Sequence, residues 1–256
     1  MTAWDPDHYL RFGDERTRPA VDLAARVAVD APETVIDLGC GPGNSTQVLR
    51  RRWPGARVTG LDASPEMIAA AERAYPDQDW MLADIDGWTA DEPRDVVFAN
   101  AALQWLGDHA SLTRHLLSQV APGGALAFQV PSAEYSSVRA LIEDVSRDGE
   151  WTSRMDAARA AHTMETPTAY YDALAPAARG MDVWETDYFH VMDSPAAIVD
   201  WISSTGLRPF LDALDSEAER ERFTARLGER VDGAFETRSD GRVLFPFRRT
   251  FVIAYA

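Results

Sequence analysis

Short apolar runs alternate with amphipathic stretches through the first half of the chain. "TVIDL" (34–38), "ARVTGLD" (56–62), "DWMLAD" (79–84) and "DVVFAN" (95–100) read as strands, and "PGGALAFQVP" (122–131) as a turn leading into one. The first is short, β-branched and closed by a glycine-rich turn, the pattern of a strand buried on both faces. Between the runs lie helical segments. Ser64-Pro65 supplies an N-cap and a first-turn proline to "EMIAAAERA". "DHASLTRHLLSQV" (108–120) puts Leu112, Leu116 and Leu117 on one face, with Asp108 as its cap. This alternation predicts an α/β fold: a parallel sheet covered by helices on both faces.

The pattern then changes. Residues 132–182 read mainly helical, 182–193 alternate like a strand, helical stretches recur around 195–204 and 216–236, and 242–256 read as β structure. The expectation is one domain over 1–256. Its core covers about 30–131 with 182–193 and 242–256; its helical cap is drawn from 1–29, 132–181 and 194–241. "DSEAERERF" reads as a solvated helical face.

Charge narrows the partners. Against 41 Asp and Glu stand 25 Lys and Arg, a net of −16. A nucleic-acid backbone is a poor match for that field, and an anionic small molecule needs local arginines to overcome it. Cys40 is the only cysteine, which forbids an internal disulfide and suits a reducing cytosol. The first residues carry no signal-type apolar core, and no run of about 18 apolar residues exists to cross a membrane. The expected location is cytoplasmic.

"VIDLGCGPGNS" follows the first buried strand and precedes a helix. It places Asp37, Gly39, Gly41 and Gly43 where doubly wound sheets bind ligands. The spacing is G-x-G-x-G, not the G-x-G-x-x-G of a dinucleotide loop, which sets aside a nicotinamide-dependent dehydrogenase. Asp62 closes the next strand, placed for a ribose hydroxyl pair. The loop resembles motif I of class I S-adenosylmethionine (SAM) methyltransferases. That resemblance implies a Rossmann-like sheet with an antiparallel C-terminal strand, and SAM as cofactor. It also implies a contact set of Arg11, Asp37, Gly39, Gly41, Asn44, Asp62, Ala63, Met67, Asp84, Ile85, Asn100 and Ala101.

The acceptor must be read elsewhere. Amine and hydroxyl acceptors want a base or a metal; a carboxylate, with a pKa of about 4, is already ionised. It needs geometry, donors for its charge and a dry wall. Indoles make such walls, and Trp4, Trp105, Trp184 and Trp201 are candidates. Arginine forks grip carboxylates: Arg11, Arg16 and Arg18 before the first helix, Arg208 in "STGLRPF", and Arg248-Arg249 in "PFRRTF". Cap motifs such as "NAALQWLGDH", "VWETDYFHV", "WISSTGLRPFL" and "GRVLFPFRRTFVIA" resemble the trans-aconitate 2-methyltransferases. The resemblance implies methyl transfer to one carboxylate of a small tricarboxylate, giving a monomethyl ester and S-adenosylhomocysteine (SAH). It places Gln104 and Trp105 at the acceptor as catalytic residues, without a general base. The expected substrate set is Arg16, Arg18, Tyr188, His190, Trp201, Arg208 and Arg249. Two rivals are a malonyl-carrier-protein carboxylate methyltransferase and a non-catalytic SAM-binding module. The five His residues show no ligand-like spacing, so no metal is expected.

Overall fold

The structure is a computed structural model that describes residues 13–133 and 137–256. β1 (Thr34–Leu38) is buried, with β2 (Arg57–Asp62) and β4 (Arg94–Asn100) parallel to it on either side. β3 (Asp79–Leu82) extends the sheet beyond β2, and β5 (Val120–Pro131) beyond β4, both in parallel. β7 (Val243–Tyr255) pairs antiparallel with β5, and β6 (Gly180–Met192) flanks β7. The order is β3-β2-β1-β4-β5-β7-β6. The chain leaves β1 toward β2 and β3, then returns to the far side as β4. The carboxyl ends of β1 and β4 therefore bound the switch-point crevice, where open α/β sheets bind ligands.

Two compact units divide the chain. The sheet unit holds residues 13–133, 163–186 and 249–256; the helical unit holds 137–162 and 187–248. In the sheet unit lie α1 (Gly13–Arg26), α2 (Asn44–Arg52), α3 (Pro65–Ala74), α4 (His109–Ser118) and, after the chain returns, α7 (Pro167–Leu174). The caps read from the sequence form: Ser64 accepts from the Met67 amide, and Asp108 from the Ser111 amide. The core is continuous from Ile36, Leu38 and Val97 on the strands to Leu116 on α4 and Tyr170 and Leu174 on α7.

Several boundaries differ from the sequence reading, and 187–193 and 242–248, read there as core, lie in the helical unit. α1 and α7 belong to the sheet unit, not the cap, because their apolar faces close over the sheet. Arg16 and Arg18 lie inside α1 rather than before the first helix. Pro19, a usual break signal, sits within that helix and does not end it.

The helical unit contains α5 (Ser137–Ser146), α6 (Asp156–Arg159), α8 (Pro195–Ser203), α9 (Arg208–Asp212) and α10 (Glu217–Ala234). Its aromatic packing joins Trp151 to Phe223 and Trp201 to Phe245 and Phe247, with ring centroids 5.0–5.5 Å apart. The polar face of α10 is exposed, and Arg222, Arg226 and Arg230 on it pair with Glu150, Asp148 and Asp144. Such exposed pairs each contribute little stability. Among the described residues, no helix is long and apolar enough to cross a membrane, and no group of three or more His, Cys, Asp or Glu could hold a metal ion.

Candidate active site

The loop after β1 needs glycine. Gly39 and Gly41 have φ of 68° and 55°, in the left-handed region. A Cβ on Gly39 would collide with the side chain of Ala102, in the turn after β4, so the two loops beside the switch point touch. A Cβ on Gly41 would meet nothing within 4 Å, so space lies open on that side of the loop. Gly39→Ala adds left-handed strain of about 1–2 kcal/mol to a clash that displaces the β4 turn. The expected result is a thermal midpoint several degrees lower and weaker SAH binding, read by thermal unfolding and calorimetry. An unchanged midpoint would show that the loops can part without cost.

Asp37 on β1 is fully buried. Its Oδ2 accepts from Ser45 Oγ and Thr46 Oγ1 in the first turn of α2, both at 2.7 Å, while Oδ1 has no hydrogen-bond partner among the described residues. Burial pushes its pKa up to about 7; the two hydroxyls oppose the rise and Asp62 adds to it. A buried carboxylate oxygen without a donor complements a cationic ligand group. Asp62 accepts from the Gly41 amide at 2.8 Å through Oδ2 and from the Ser64 amide at 2.8 Å through Oδ1. Burial raises its pKa too, against those same bonds. Burial, with Asp37 and Asp62 nearby, also pushes the Cys40 thiol up, so it stays protonated and is no nucleophile.

The remaining cofactor candidates are spread around this loop. Asn44 opens α2 and is half-buried, Ala63 is exposed after β2, and Met67 is buried on α3. Ile85 is buried against the Gly39 position, while Asp84 is exposed and accepts from the Asp86 amide. Arg11 and Trp4 lie outside the described residues.

The turn after β4 is held from several directions. Ala101 takes a φ of 54° and donates its amide to the Gln129 carbonyl at 3.0 Å. Gln104 Nε2 donates to the Ala101 carbonyl at 2.7 Å, and its Oε1 is buried without a partner among the described residues. Trp105 ends the 3-10 turn Leu103–Trp105 and is half-buried. His109 Nε2 donates to the Leu103 carbonyl at 2.9 Å, which leaves Nδ1 to accept from Tyr170 Oη at 2.6 Å. Burial lowers its pKa, so it stays neutral with both nitrogens committed. This agrees with a structural histidine rather than a base.

Asn100 closes β4. The sequence reading sets it against the donor, yet both ends of its carboxamide are engaged within the unit. Nδ2 donates to the Arg16 carbonyl at 3.4 Å, and Oδ1 accepts from Gln129 Nε2 at 2.7 Å. Gln129 Oε1 in turn accepts from Arg249 Nη1 at 3.2 Å. Arg16 and Arg249 are both buried, at 6% and 5% exposure, while Arg18 is exposed. Trp184 stacks on Phe251 in the same unit, with Arg26 over its ring. Tyr188, His190, Trp201 and Arg208 belong to the helical unit. There His190 packs against Trp201, with ring centroids 5.4 Å apart, and burial lowers the pKa of Arg208. Arg248 forms a two-pronged pair with Asp187, which answers its charge. Ser45, Thr46, Gln129 and the His109–Tyr170 pair carry site geometry that the sequence reading did not single out.

Comparison with known proteins fits this geometry. A family model described as a methyltransferase domain matches residues 9–185. A protein named trans-aconitate 2-methyltransferase from Azoarcus sp. (strain BH72) is 48% identical over 254 residues, 99% of each chain. One of the same name from Methylobacterium radiotolerans is 48% identical over 258 residues, 99% of this chain and 98% of the other. A solved structure, a putative methyltransferase (BH2331) from Bacillus halodurans C-125, superposes with a TM-score of 0.59 at 15% identity. It covers 93% of this chain and 98% of its own, a likeness of fold.

Proposed function

This chain belongs to the trans-aconitate 2-methyltransferase family, and from that premise we propose how its own residues carry SAM-dependent methyl transfer to a carboxylate of trans-aconitate. The sheet-unit site suits SAM: an Asp37 oxygen without a partner among the described residues for an ammonium, open space beside Gly41, and Asp62 at the end of β2 for a ribose. When bound, SAM supplies an electrophilic methyl on a sulfonium, with the leaving group already in place.

Two buried guanidiniums carry the acceptor side of this reading. Arg16 and Arg249 both stand in the sheet unit: the Arg249 guanidinium is joined through Gln129 to Asn100 at the end of β4, and Asn100 also holds the main-chain carbonyl of Arg16. Charged side chains are rarely buried without a purpose, and a planar polycarboxylate matches their forks. Trp105 supplies an apolar wall beside that strand end, and Gln104 fixes the turn that presents it. The attacking carboxylate is already ionised, so no proton has to move. His109, whose imidazole bonds the turn, is fully committed to Leu103 and Tyr170 and is not required as a base. The chain's work is then to hold the anion in line, keep water out and neutralise its remaining charge.

Methyl-labelled SAM and a panel of di- and tricarboxylic acids test this. The expected product is a base-labile methyl ester, formed fastest on trans-aconitate. Label passing only to an acyl carrier protein, and to none of the free acids, would overturn the acceptor assignment.

A further inference from the structure

Gln129 is fully buried on β5, and its carboxamide joins residues from two other strands. Nε2 donates to Asn100 on β4 at 2.7 Å, and Oε1 accepts from Arg249 on β7 at 3.2 Å. The register explains the meeting. Asn100 lies beside Gln129 across β4 and β5, and Arg249 is two residues from Phe251, the β7 partner of Gln129. All three therefore share one face of the sheet.

Charge sets the direction of each bond. A guanidinium has five donors and no acceptor, so the end of Gln129 that meets Arg249 must be its carbonyl. Its amide end then faces Asn100, whose facing atom must be oxygen. Asn100 Nδ2 is left for the main-chain carbonyl of Arg16. One amide chain thus runs from the Arg249 guanidinium to the main chain of Arg16 on α1.

We propose that Gln129 is a positioning residue of the acceptor site, one that fixes the plane of Arg249 and its spacing from α1 while leaving the guanidinium charge intact. This rests on reading Arg16 and Arg249 as the anion clamp. The neutrality of the amide matters. A glutamate in its place would pair with Arg249 and cancel the charge that the substrate needs. An apolar side chain would hold neither neighbour.

Gln129→Glu and Gln129→Met separate these effects, with acceptor KM, kcat and SAH affinity measured by label transfer and calorimetry. Both variants should raise the acceptor KM at least tenfold, Gln129→Glu more, with kcat and SAH affinity within about threefold of wild type. In an Arg249→Met background, Gln129→Met should cost little further, because its partner is gone. Independent effects would instead multiply, and that result overturns the proposal. So does an unchanged KM, or SAH affinity that falls in step with KM, which would mark Gln129 as a packing residue only. If Gln129→Met does not fold, the isosteric Gln129→Glu carries the test alone. Wild-type protein that esterifies no carboxylic acid would defeat the proposed function itself. Active wild type with indifferent Gln129 variants defeats this inference alone.

Discussion

Asp37→Asn should weaken SAM and SAH binding by about 10- to 100-fold, the loss of one hydrogen bond to a charged group, while making the ligand-free protein more stable at pH 8. Both effects come from one atom. Asp37 is fully buried, its Oδ2 is satisfied by Ser45 and Thr46, and its Oδ1 meets no donor among the described residues. Its pKa rises from 3.8 to about 7 in the fold, chiefly through burial. Because the folded value lies above the unfolded one, its contribution to stability is complete below about pH 4 and is lost as pH rises through about 7. The displacement corresponds to roughly 4 kcal/mol at most. The variant removes that titration, so its advantage in thermal midpoint should grow from pH 4 to pH 7 and then level off. A bound ammonium compensates the carboxylate, so saturating SAM should close or reverse the gap. Equal midpoints at pH 5 and pH 8, with unchanged SAH affinity, would mean that Asp37 is merely a cap for α2.

Much of the fold was legible because it is written in local signals. Buried strands, the cap pair Ser64-Pro65 and the N-cap Asp108 need only a few neighbouring residues, and each forms where its pattern predicts. The glycine loop was legible for the same reason: G-x-G-x-G after a buried strand constrains the backbone whatever surrounds it. The site's second layer was not. Gln129 meets Asn100 and Arg249 across separations of 29 and 120 residues, and His109 meets Tyr170 across 61. In sequence no fixed spacing ties any of these residues to its partner. α1 was hidden by Pro19, whose local rule the packed helix overrides. Arg16 illustrates the result: one helix carries both it and Arg18, and only burial tells them apart.

Arg16→Met is the cleaner probe of the anion clamp, and it should raise the acceptor KM by at least about 30-fold. Losing one partner of a buried, hydrogen-bonded charge typically costs about 2–5 kcal/mol, and the lower bound gives that factor. Arg249→Ala carries a second consequence. Its Nη1 holds Gln129, which holds Asn100 at the end of β4, so its loss also leaves the Gln129 carbonyl without that donor. Arg16 meets Asn100 through its main-chain carbonyl, a contact that a side-chain replacement retains. Methionine also keeps much of the buried volume, which limits the cavity cost. SAH affinity of Arg16→Met should therefore stay within about threefold of wild type while the acceptor KM climbs. The loss should also depend on acceptor charge, being larger for a tricarboxylate than for a dicarboxylate, because fewer cations then face more anions. SAH binding that falls as far as acceptor binding would show that the buried charge serves the fold. An unchanged KM would remove Arg16 from the acceptor site altogether.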